Sequence, residues 1–209
     1  MHKKIKLISK RNNVFRIVEN DSTYILKKFK NQENYIKEIE ILNVLKNAGV
    51  NVPSIIKSDE NCIYLEDLGS VTLLDWYEEQ EKQNKLDINM VYNLCRWLKV
   101  FYREVLELHK EQVILTDVNF RNFIINDNEI YGIDFEQVCE GIILEDVGKF
   151  SAYALTYEPV MTEWKINFRN KFIDIMSKEL NIDKEKIILE EKKELLAMER
   201  RRGILFKDF

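Results

Sequence analysis

The sequence has few of the residues that interrupt or cross-link a chain: 6 glycines, 2 prolines and 3 cysteines among 209 residues. Collagen-like and flexible linker chains are excluded because they require far more glycine and proline. Cys62, Cys95 and Cys139 are far apart and form no CxxC pair, which argues against a structural zinc site. We expect all three to be free, buried thiols of a protein in a reducing compartment.

The sequence also lacks the segments that direct a chain to or across a membrane. No run of about 18 consecutive apolar residues is present, so no membrane-spanning helix is predicted. The start, MHKKIKLISKRNN, has neither the apolar core nor the small-residue cleavage site of a signal peptide. The net charge of -4 and the pI of about 5.5 argue against a broad basic surface for DNA. These absences predict a cytoplasmic protein without membrane or DNA partners.

The composition, 45% hydrophobic and 33% charged, is that of a globular protein. Near the N-terminus, β-branched and aromatic runs predict a three-stranded antiparallel sheet, followed by a helix over 33–47 and two further strands. The later pattern is mainly helical, and its clearest helix spans 87–109 with Asp87 as N-cap. This order predicts an α+β fold with two lobes, residues 1–67 and 68–209, and a ligand cleft between them.

Three polar side chains, Asp117, Asn122 and Asp134, fall within one segment, LTDVNFRNFIINDNEIYGIDFEQV. The runs FII and IYG predict a hairpin closed by a turn at NDN, which would bring the loops at its two ends together. Asp and Asn most often serve turns, but the joint spacing favours a shared site. Phosphoryl transfer requires this set, since one carboxylate accepts a proton from a hydroxyl while the other oxygens bind Mg²⁺.

This segment resembles the catalytic and metal loops of the protein-kinase-like superfamily, especially the branch of aminoglycoside phosphotransferases and choline kinases. Residues 115–122 (LTDVNFRN) match the catalytic loop H-x-D-x-x-x-x-N, and residues 133–136 (IDFE) match the metal motif. The resemblance implies a two-lobe protein-kinase-like fold, with an N-terminal antiparallel sheet and one helix facing a larger helical lobe. It also implies ATP and Mg²⁺ as cofactors, Asp117 as the catalytic base, and Asn122 and Asp134 as metal ligands.

The resemblance assigns a lysine and a glutamate to the nucleotide phosphates. TYILKK resembles the strand that carries the phosphate-binding lysine, and its alignment selects Lys27. The following helix offers Glu38 and Glu40 as partners of that lysine. We choose Glu38 because it falls on the same helical arc as Leu42 and Leu45, the apolar face. The pair would hold the lysine against the α- and β-phosphates.

Two weaker matches concern the rest of the nucleotide. The stretch NCIYLEDLG resembles the connector whose backbone binds adenine, which implies Glu66 and Leu68 as cofactor-binding residues. The phosphate loop SKRNN contains no glycine, although glycines there let backbone amides approach phosphates closely. Choline-kinase-like relatives carry an Asn near this place, so Asn12 or Asn13 is expected to take part in nucleotide binding.

Two further residues come from the catalytic side of the pattern. Arg121 lies four positions after Asp117, where tyrosine kinases carry an Arg, and we hypothesise that it balances charge on the γ-phosphate. Asp146, in EDVGKFSAY, resembles the acid that braces the catalytic loop, although an acid favoured by the dipole at a helix N-terminus is a close alternative. Leu115 replaces the usual His of the catalytic loop.

The acceptor is expected to be a small molecule with a hydroxyl group. Only 12 positions separate Asp134 from Asp146 and no A-P-E follows, so the long activation segment that binds peptides is missing. Acidic and aromatic residues after the metal motif suit a cationic acceptor through charge and cation–π contact, although the aromatic ones serve a core equally well. They are Glu136, Glu140, Glu145, Tyr153, Tyr157, Glu158 and Trp164.

Two other functions remain open. One is a small kinase-like ATPase with a protein-complex partner. The small kinase subunit of the tRNA threonylcarbamoyl-modification complex is similar in size, lacks a long activation segment and ends in a basic tail, to which ERRRGILFKDF is similar. The other is a catalytically inactive, kinase-shaped binding module. The missing glycines favour this module, and the retained Lys27, Asp117, Asn122 and Asp134 oppose it, since partly buried carboxylates are costly without a cation.

Overall fold

The computed structural model of the chain describes residues 2–20, 22–203 and 205–206. The strands are β1 (His2–Lys6), β2 (Asn13–Glu19), β3 (Ser22–Lys28), β4 (Ile55–Asp59), β5 (Cys62–Glu66), β6 (Val113–Ile114), β7 (Phe123–Asn126), β8 (Glu129–Gly132) and β9 (Cys139–Glu140). The helices are α1 (Gln32–Asn47), α2 (Leu73–Lys82), α3 (Ile88–His109), α4 (Ile143–Thr156), α5 (Glu163–Leu180) and α6 (Lys184–Arg202). Sheet dominates the N-terminal part and helix the C-terminal part, which confirms the predicted α+β class.

The five N-terminal strands form one antiparallel sheet in the order β1-β2-β3-β5-β4. The predicted three-stranded sheet is therefore larger than expected, because β5 pairs with β3 and places Lys27 opposite Ile63. Helix α1 connects β3 to β4, and Asn31 caps it by accepting hydrogen bonds from two amides of the first turn. The buried face of α1 comprises Glu38, Ile41, Leu42 and Leu45. This face directs Glu38 towards the sheet that carries Lys27.

Helix α3 is the centre of the C-terminal part and begins after the predicted N-cap. The Asp87 carboxylate accepts from the amide of Asn89 at 2.9 Å, and α3 contacts α1, α5, β6 and β8. Around it lies a core of aromatic rings, in which Tyr77 meets Phe120 and Phe168 edge-on at centroid distances of 5.1 and 4.7 Å. Among the described residues, no helix combines the length and apolar character needed to cross a membrane.

The hairpin predicted from FII and IYG is present as β7 and β8, which pair antiparallel along their whole length. Its turn holds Asp127 and Asn128 at φ angles of 49° and 63°, a region that these two residue types tolerate. The second strand ends at Gly132, two residues before Asp134. The extended backbone does not continue to Asp134, because that residue has a φ of 68°. The carboxylate therefore projects from a bend and not from a strand.

The expectation of three buried thiols is correct only for Cys95, which lies in α3. Cys62 is partly exposed at the start of β5, and Cys139 is exposed in β9. Strand β9 is only two residues long and pairs with β6 at the surface, so its backbone is engaged while its side chains meet solvent. All three cysteines are free.

The basic C-terminal segment is only partly described. Residues 204 and 207–209 lie outside the described part of the chain. Helix α6 ends at Arg202, whose guanidinium donates to the carbonyl of Thr156 at 3.4 Å, and Arg201 pairs with Glu194 at 2.6 Å. The first contact attaches the basic end of α6 to α4, and the second lies within α6.

Helices α4 and α6 approach so closely at Gly148 that the backbone tolerates no side chain. A Cβ there would lie 2.5 Å from Cβ of Glu190 and 2.8 Å from the backbone nitrogen of Glu191. Gly to Ala within a helix ordinarily stabilises by about 1 kcal/mol. Here the steric clash of the added Cβ should outweigh this gain in helix propensity. We expect Gly148→Ala to lower the free energy of unfolding, measured by urea denaturation, by about 1–3 kcal/mol. Adding Glu190→Gly should not restore stability, because the backbone contact remains; a more stable single variant would contradict this expectation.

Candidate functional site

A cavity of about 410 Å³ lies between the N-terminal sheet and the loops at the ends of the β7–β8 hairpin. Its lining comes from the β1–β2 loop, from β2, β3 and α1, from the connector after β5, and from the segments before β7 and after β8. Eight of the ten predicted site residues line it: Lys27, Glu38, Glu66, Leu68, Asp117, Arg121, Asn122 and Asp134. Residues far apart in sequence thus share one cleft.

Lys27 is the central cation of the cleft. Its Nζ lies 3.0 Å from Oε1 of Glu38 and 2.5 Å from Oδ1 of Asp134. Burial alone would lower the pKa of Lys27, but the Glu38 and Asp134 carboxylates outweigh it and raise that pKa above its ordinary value. Burial is the main cause that raises the pKa of Glu38; Lys27 lowers this pKa, and the negative charges of Asp134 and Glu136 raise it further. Carboxylates therefore outnumber cations at this end of the cleft.

The choice of Glu38 over Glu40 agrees with the packing of α1. Glu38 is 1% exposed, whereas Glu40 is exposed to solvent. The second carboxylate oxygen of Glu38, Oε2, has no hydrogen-bond partner among the described residues. A buried oxygen of this kind favours a nearby cation or donor.

Asp117 lies in a loop whose backbone is hydrogen-bonded to a side chain of α4. Asp146, buried in α4, accepts hydrogen bonds from the amides of Leu115 (2.6 Å) and Thr116 (2.9 Å) and from the hydroxyl of Tyr102 (3.2 Å). Thr116 has a φ of 61°, and these bonds hold its amide in that sparsely populated conformation. The arrangement leaves the Asp117 side chain 32% exposed and facing the cavity. Of the two interpretations of Asp146, the geometry favours the brace.

Asp146→Asn is expected to reduce kcat roughly 10- to 100-fold through misplacement of the loop, with little change in nucleotide affinity. An amide offers one acceptor oxygen, and its NH₂ group would face a backbone N–H of Leu115 or Thr116.

Burial raises the pKa of Asp146 to about 6, against the two amide hydrogen bonds that lower it. We therefore expect kcat of the unaltered protein to fall as the pH drops below about 6.

Stability should respond to the same ionisation in the opposite direction. The folded-state pKa of Asp146 lies above its ordinary value of 3.8, so this group contributes stability that is fully present below pH 3.8 and is lost as the pH rises through about 6. An acid loss of kcat that tracks thermal unfolding would contradict the assignment. Tyr102→Phe is the matched control, because it removes one bond to Asp146 and leaves both amide bonds.

Asn122 and Asp134 supply oxygen atoms to the floor of the cleft. Nδ2 of Asn122 donates to the carbonyl of Asp117 at 3.0 Å, which leaves Oδ1 available. Its backbone carbonyl accepts from the amide of Ile133 at 2.9 Å, so the catalytic loop and the metal motif are directly joined. Oxygen donors of this kind fit Mg²⁺, which usually takes one or two carboxylates together with substrate phosphates and water. Within the described residues, no group of three or more His, Cys, Asp or Glu side chains could hold a metal ion by itself.

The phosphate loop presents different residues to the cavity from those predicted. Neither Asn12 nor Asn13 lines it, whereas Ser9, Lys10 and Arg11 do. Asn12 is buried against the metal motif, and Asn13 is an exposed first residue of β2. Arg11 was not among the predicted site residues, although a basic side chain in a glycine-free phosphate loop is a signal for phosphate binding.

The connector after β5 is arranged as an edge of the cavity. The Glu66 carboxylate accepts from the amide and the hydroxyl of Ser54 at 3.1 and 2.8 Å, and the Ser54 amide lowers the pKa of Glu66. The amide of Leu68 makes no hydrogen bond to another described residue. A free amide beside an apolar wall is suited to a purine edge.

Arg121 also lines the cavity, and its side chain is exposed without an ion pair to another described residue. The acidic and aromatic residues assigned to a cationic acceptor do not gather there, since only Glu136 lines the cavity. Tyr157 instead supports the catalytic loop: its hydroxyl accepts from the amide of Phe120 at 3.0 Å and lies 3.3 Å from Oδ1 of Asn119. Trp164 packs in the core. The expectation of a cationic acceptor thus loses its structural basis.

Comparison with solved structures supports a kinase-like phosphotransferase fold. The amicoumacin kinase hAmiN in complex with AMP-PNP and Ca²⁺ has a TM-score of 0.58 and 14% identity, covering 84% of this chain and 72% of its own. ADP-bound aminoglycoside phosphotransferase APH(2'')-Ib has a TM-score of 0.63 and 14% identity, covering 94% of this chain and 83% of its own. The gentamicin complex of APH(2")-IIa has a TM-score of 0.65 and 15% identity, covering 94% of this chain and 82% of its own. At these identities the likeness concerns the fold alone.

Sequence comparison identifies the family. No curated protein sequence matches this chain. The model of the RIO domain matches residues 4–141, which include the phosphate loop, Lys27, the catalytic loop and the metal motif. The match covers well over half of the chain, and the resemblance to kinases inferred from the motifs is confirmed at the level of the superfamily. The chain belongs to the RIO-domain family of the protein-kinase-like superfamily.

Proposed function

We propose that this protein is an ATP-dependent phosphotransferase that transfers the γ-phosphate to a hydroxyl group of a small molecule. The observation that carries the proposal is the convergence of Lys27, Asp117, Asn122 and Asp134 on one cavity of about 410 Å³. In this proposal residues 1–67 are the N-terminal lobe and residues 68–209 the C-terminal lobe, with the nucleotide bound between them. Nucleotides in the structures of two neighbours, AMP-PNP and ADP, are consistent with this assignment.

Each residue has a defined part in the reaction. Lys27, held by Glu38, binds the α- and β-phosphates, while the backbone of Glu66 and Leu68 receives the adenine. Asp117 orients the acceptor hydroxyl and takes its proton as the oxygen attacks the γ-phosphorus. The bond from that phosphorus to the β–γ bridging oxygen breaks, and ADP leaves with the electron pair. Asn122 and Asp134 would hold Mg²⁺, which neutralises charge on the β- and γ-phosphates when bound. Arg121 lines the cavity with an exposed side chain, and its guanidinium stabilises the transferring group.

The acceptor is small because the surface beside the metal motif offers no extended platform. Between Asp134 and Asp146 the chain forms only the short strand β9, which pairs with β6, before α4 begins. Two neighbours are aminoglycoside phosphotransferases, one of them in complex with gentamicin. The charge of the acceptor is left open, since the acidic set does not line the cavity.

A panel of hydroxyl compounds tests the proposal. Incubation with Mg²⁺ and γ-labelled ATP should transfer label to at least one sugar, aminoglycoside or amino-alcohol, and hydrolysis without an acceptor should be much slower. Rapid hydrolysis without any acceptor would instead favour the kinase-like ATPase that acts with a protein partner. A chain that shows no thermal shift with millimolar Mg-ATP would favour the inactive binding module.

A further inference from the structure

The glycine-free loop between β1 and β2 is fixed in place by buried side chains. Nδ2 of Asn12 donates a hydrogen bond to Oε2 of Glu136, and Oδ1 of Asn12 accepts from the amide of Lys30 at 3.3 Å. Asn12 is 7% exposed and Glu136 is 3% exposed, so water competes little for these bonds. Glu136 lies two residues after Asp134. The loop is therefore tied directly to the metal motif.

This attachment brings Arg11 to the reaction centre. Nη1 of Arg11 lies 3.9 Å from Oδ2 of Asp117 and 3.8 Å from Oε1 of Glu136. Both distances exceed hydrogen-bonding range, and the Arg11 side chain is 46% exposed. Neither carboxylate holds the guanidinium tightly, because no hydrogen bond accompanies either contact and water reaches the Arg11 side chain. Arg11 can turn to another anion without breaking a hydrogen bond.

We propose that Arg11 binds the γ-phosphate, so that a guanidinium in this loop replaces the glycine amides of other phosphate loops; this rests on the proposed function. The loop residues SKRNN all carry side chains, which keep their backbone further from a phosphate than glycine would. A guanidinium reaches across that gap and offers two parallel N–H donors to phosphate oxygens.

The neighbours of Arg11 identify which phosphate it binds. Lys27 lies deeper in the cleft with Glu38 and is suited to the α- and β-phosphates. Arg11 faces Asp117, the residue that receives the acceptor hydroxyl, so the group nearest to it is the terminal phosphate. Arg11 also offsets the negative charge of Asp117 and Glu136, which would otherwise repel that phosphate. Asn12 and Glu136 are positioning residues, since they hold the loop and not the nucleotide.

Calorimetric titration of the full chain with Mg²⁺ and either AMP-PNP or ADP tests the assignment. Arg11→Gln should weaken AMP-PNP binding about 10- to 100-fold, because charge-assisted bonds to the γ-phosphate are lost, while ADP binding changes less than about threefold. Arg11→Lys should retain part of the preference for AMP-PNP. Arg96→Gln is the matched control: Arg96 is an exposed residue of α3 without an ion pair to another described residue, and both affinities should stay unchanged.

The positioning role has its own readout. Asn12→Ala should lower the ratio of AMP-PNP to ADP affinity, and Arg11→Gln with Asn12→Ala should be no worse than Arg11→Gln alone, since both changes remove one interaction. Equal weakening of both nucleotides by Arg11→Gln, or no weakening, would overturn the assignment and leave the proposed function standing. An unaltered protein that binds neither nucleotide would overturn the proposed function as well.

Discussion

Replacing Asp117 by Asn should reduce the rate of phosphoryl transfer about 10²- to 10⁴-fold, the range that general-base catalysis ordinarily supplies. The amide keeps the size of the side chain but cannot accept the proton of the acceptor hydroxyl. Nucleotide affinity should stay nearly intact, because Lys27 and Asp134 contact each other and not Asp117. The measurement is a single-turnover transfer rate with the acceptor that the panel identifies, next to calorimetric binding of AMP-PNP.

The control for this variant is Asp59→Asn, which makes the same chemical change at the exposed end of β4. It should leave both the transfer rate and the unfolding midpoint unchanged. If Asp117→Asn retained full activity, Asp117 would not be the general base. A parallel loss of AMP-PNP affinity would instead indicate that the variant disturbs the loop held by Asp146.

Replacing Asp134 by Asn should abolish the metal dependence of nucleotide binding. The change removes the carboxylate that would hold Mg²⁺, and we expect the apparent affinity for Mg²⁺ in the presence of ADP to fall at least about 100-fold. Lys27 loses one partner but keeps Glu38 at 3.0 Å, so the fold should persist. ADP titrations with Mg²⁺ and with EDTA measure the effect, since the two curves should coincide for the variant and differ for the unaltered protein.

A matched comparison separates the metal from the lysine. Glu38→Gln removes the other partner of Lys27 without removing a candidate metal ligand, so the difference between the Mg²⁺ and EDTA titrations should survive. If Asp134→Asn preserved that difference, the metal would be held elsewhere. If both variants lost it, the geometry of Lys27, and not the metal ligand, would control nucleotide binding.

Local sequence patterns were sufficient for most of the elements. The hydrophobic period and the N-cap at Asp87 predicted α3 within one residue, and the NDN turn predicted the β7–β8 hairpin. The helical arc of α1 distinguished Glu38 from Glu40, since burial on a helix follows the 3.6-residue period. Such features depend on neighbours in sequence and can therefore be predicted from the sequence alone.

Features that depend on contacts across the chain were predicted less well. The exposure of Cys139 follows from the pairing of β9 with β6, and the cationic acceptor lost its basis because only Glu136 of the acidic set lines the cavity. The loop from Ser9 to Asn13 also depends on such contacts. Its asparagines looked like nucleotide ligands in sequence, yet neither lines the cavity.

The class of fold, the order of the elements and the kinase-like motifs could be predicted from the chain alone, because each depends on residues that lie close together along it. The contact of Lys27 with Asp134 across 107 positions could not, nor could the attachment of Asn12 to Glu136 that brings Arg11 to Asp117. Such charge pairs and buried hydrogen bonds depend on distance and on the exclusion of water, which the packing of the sheet against the helical part establishes.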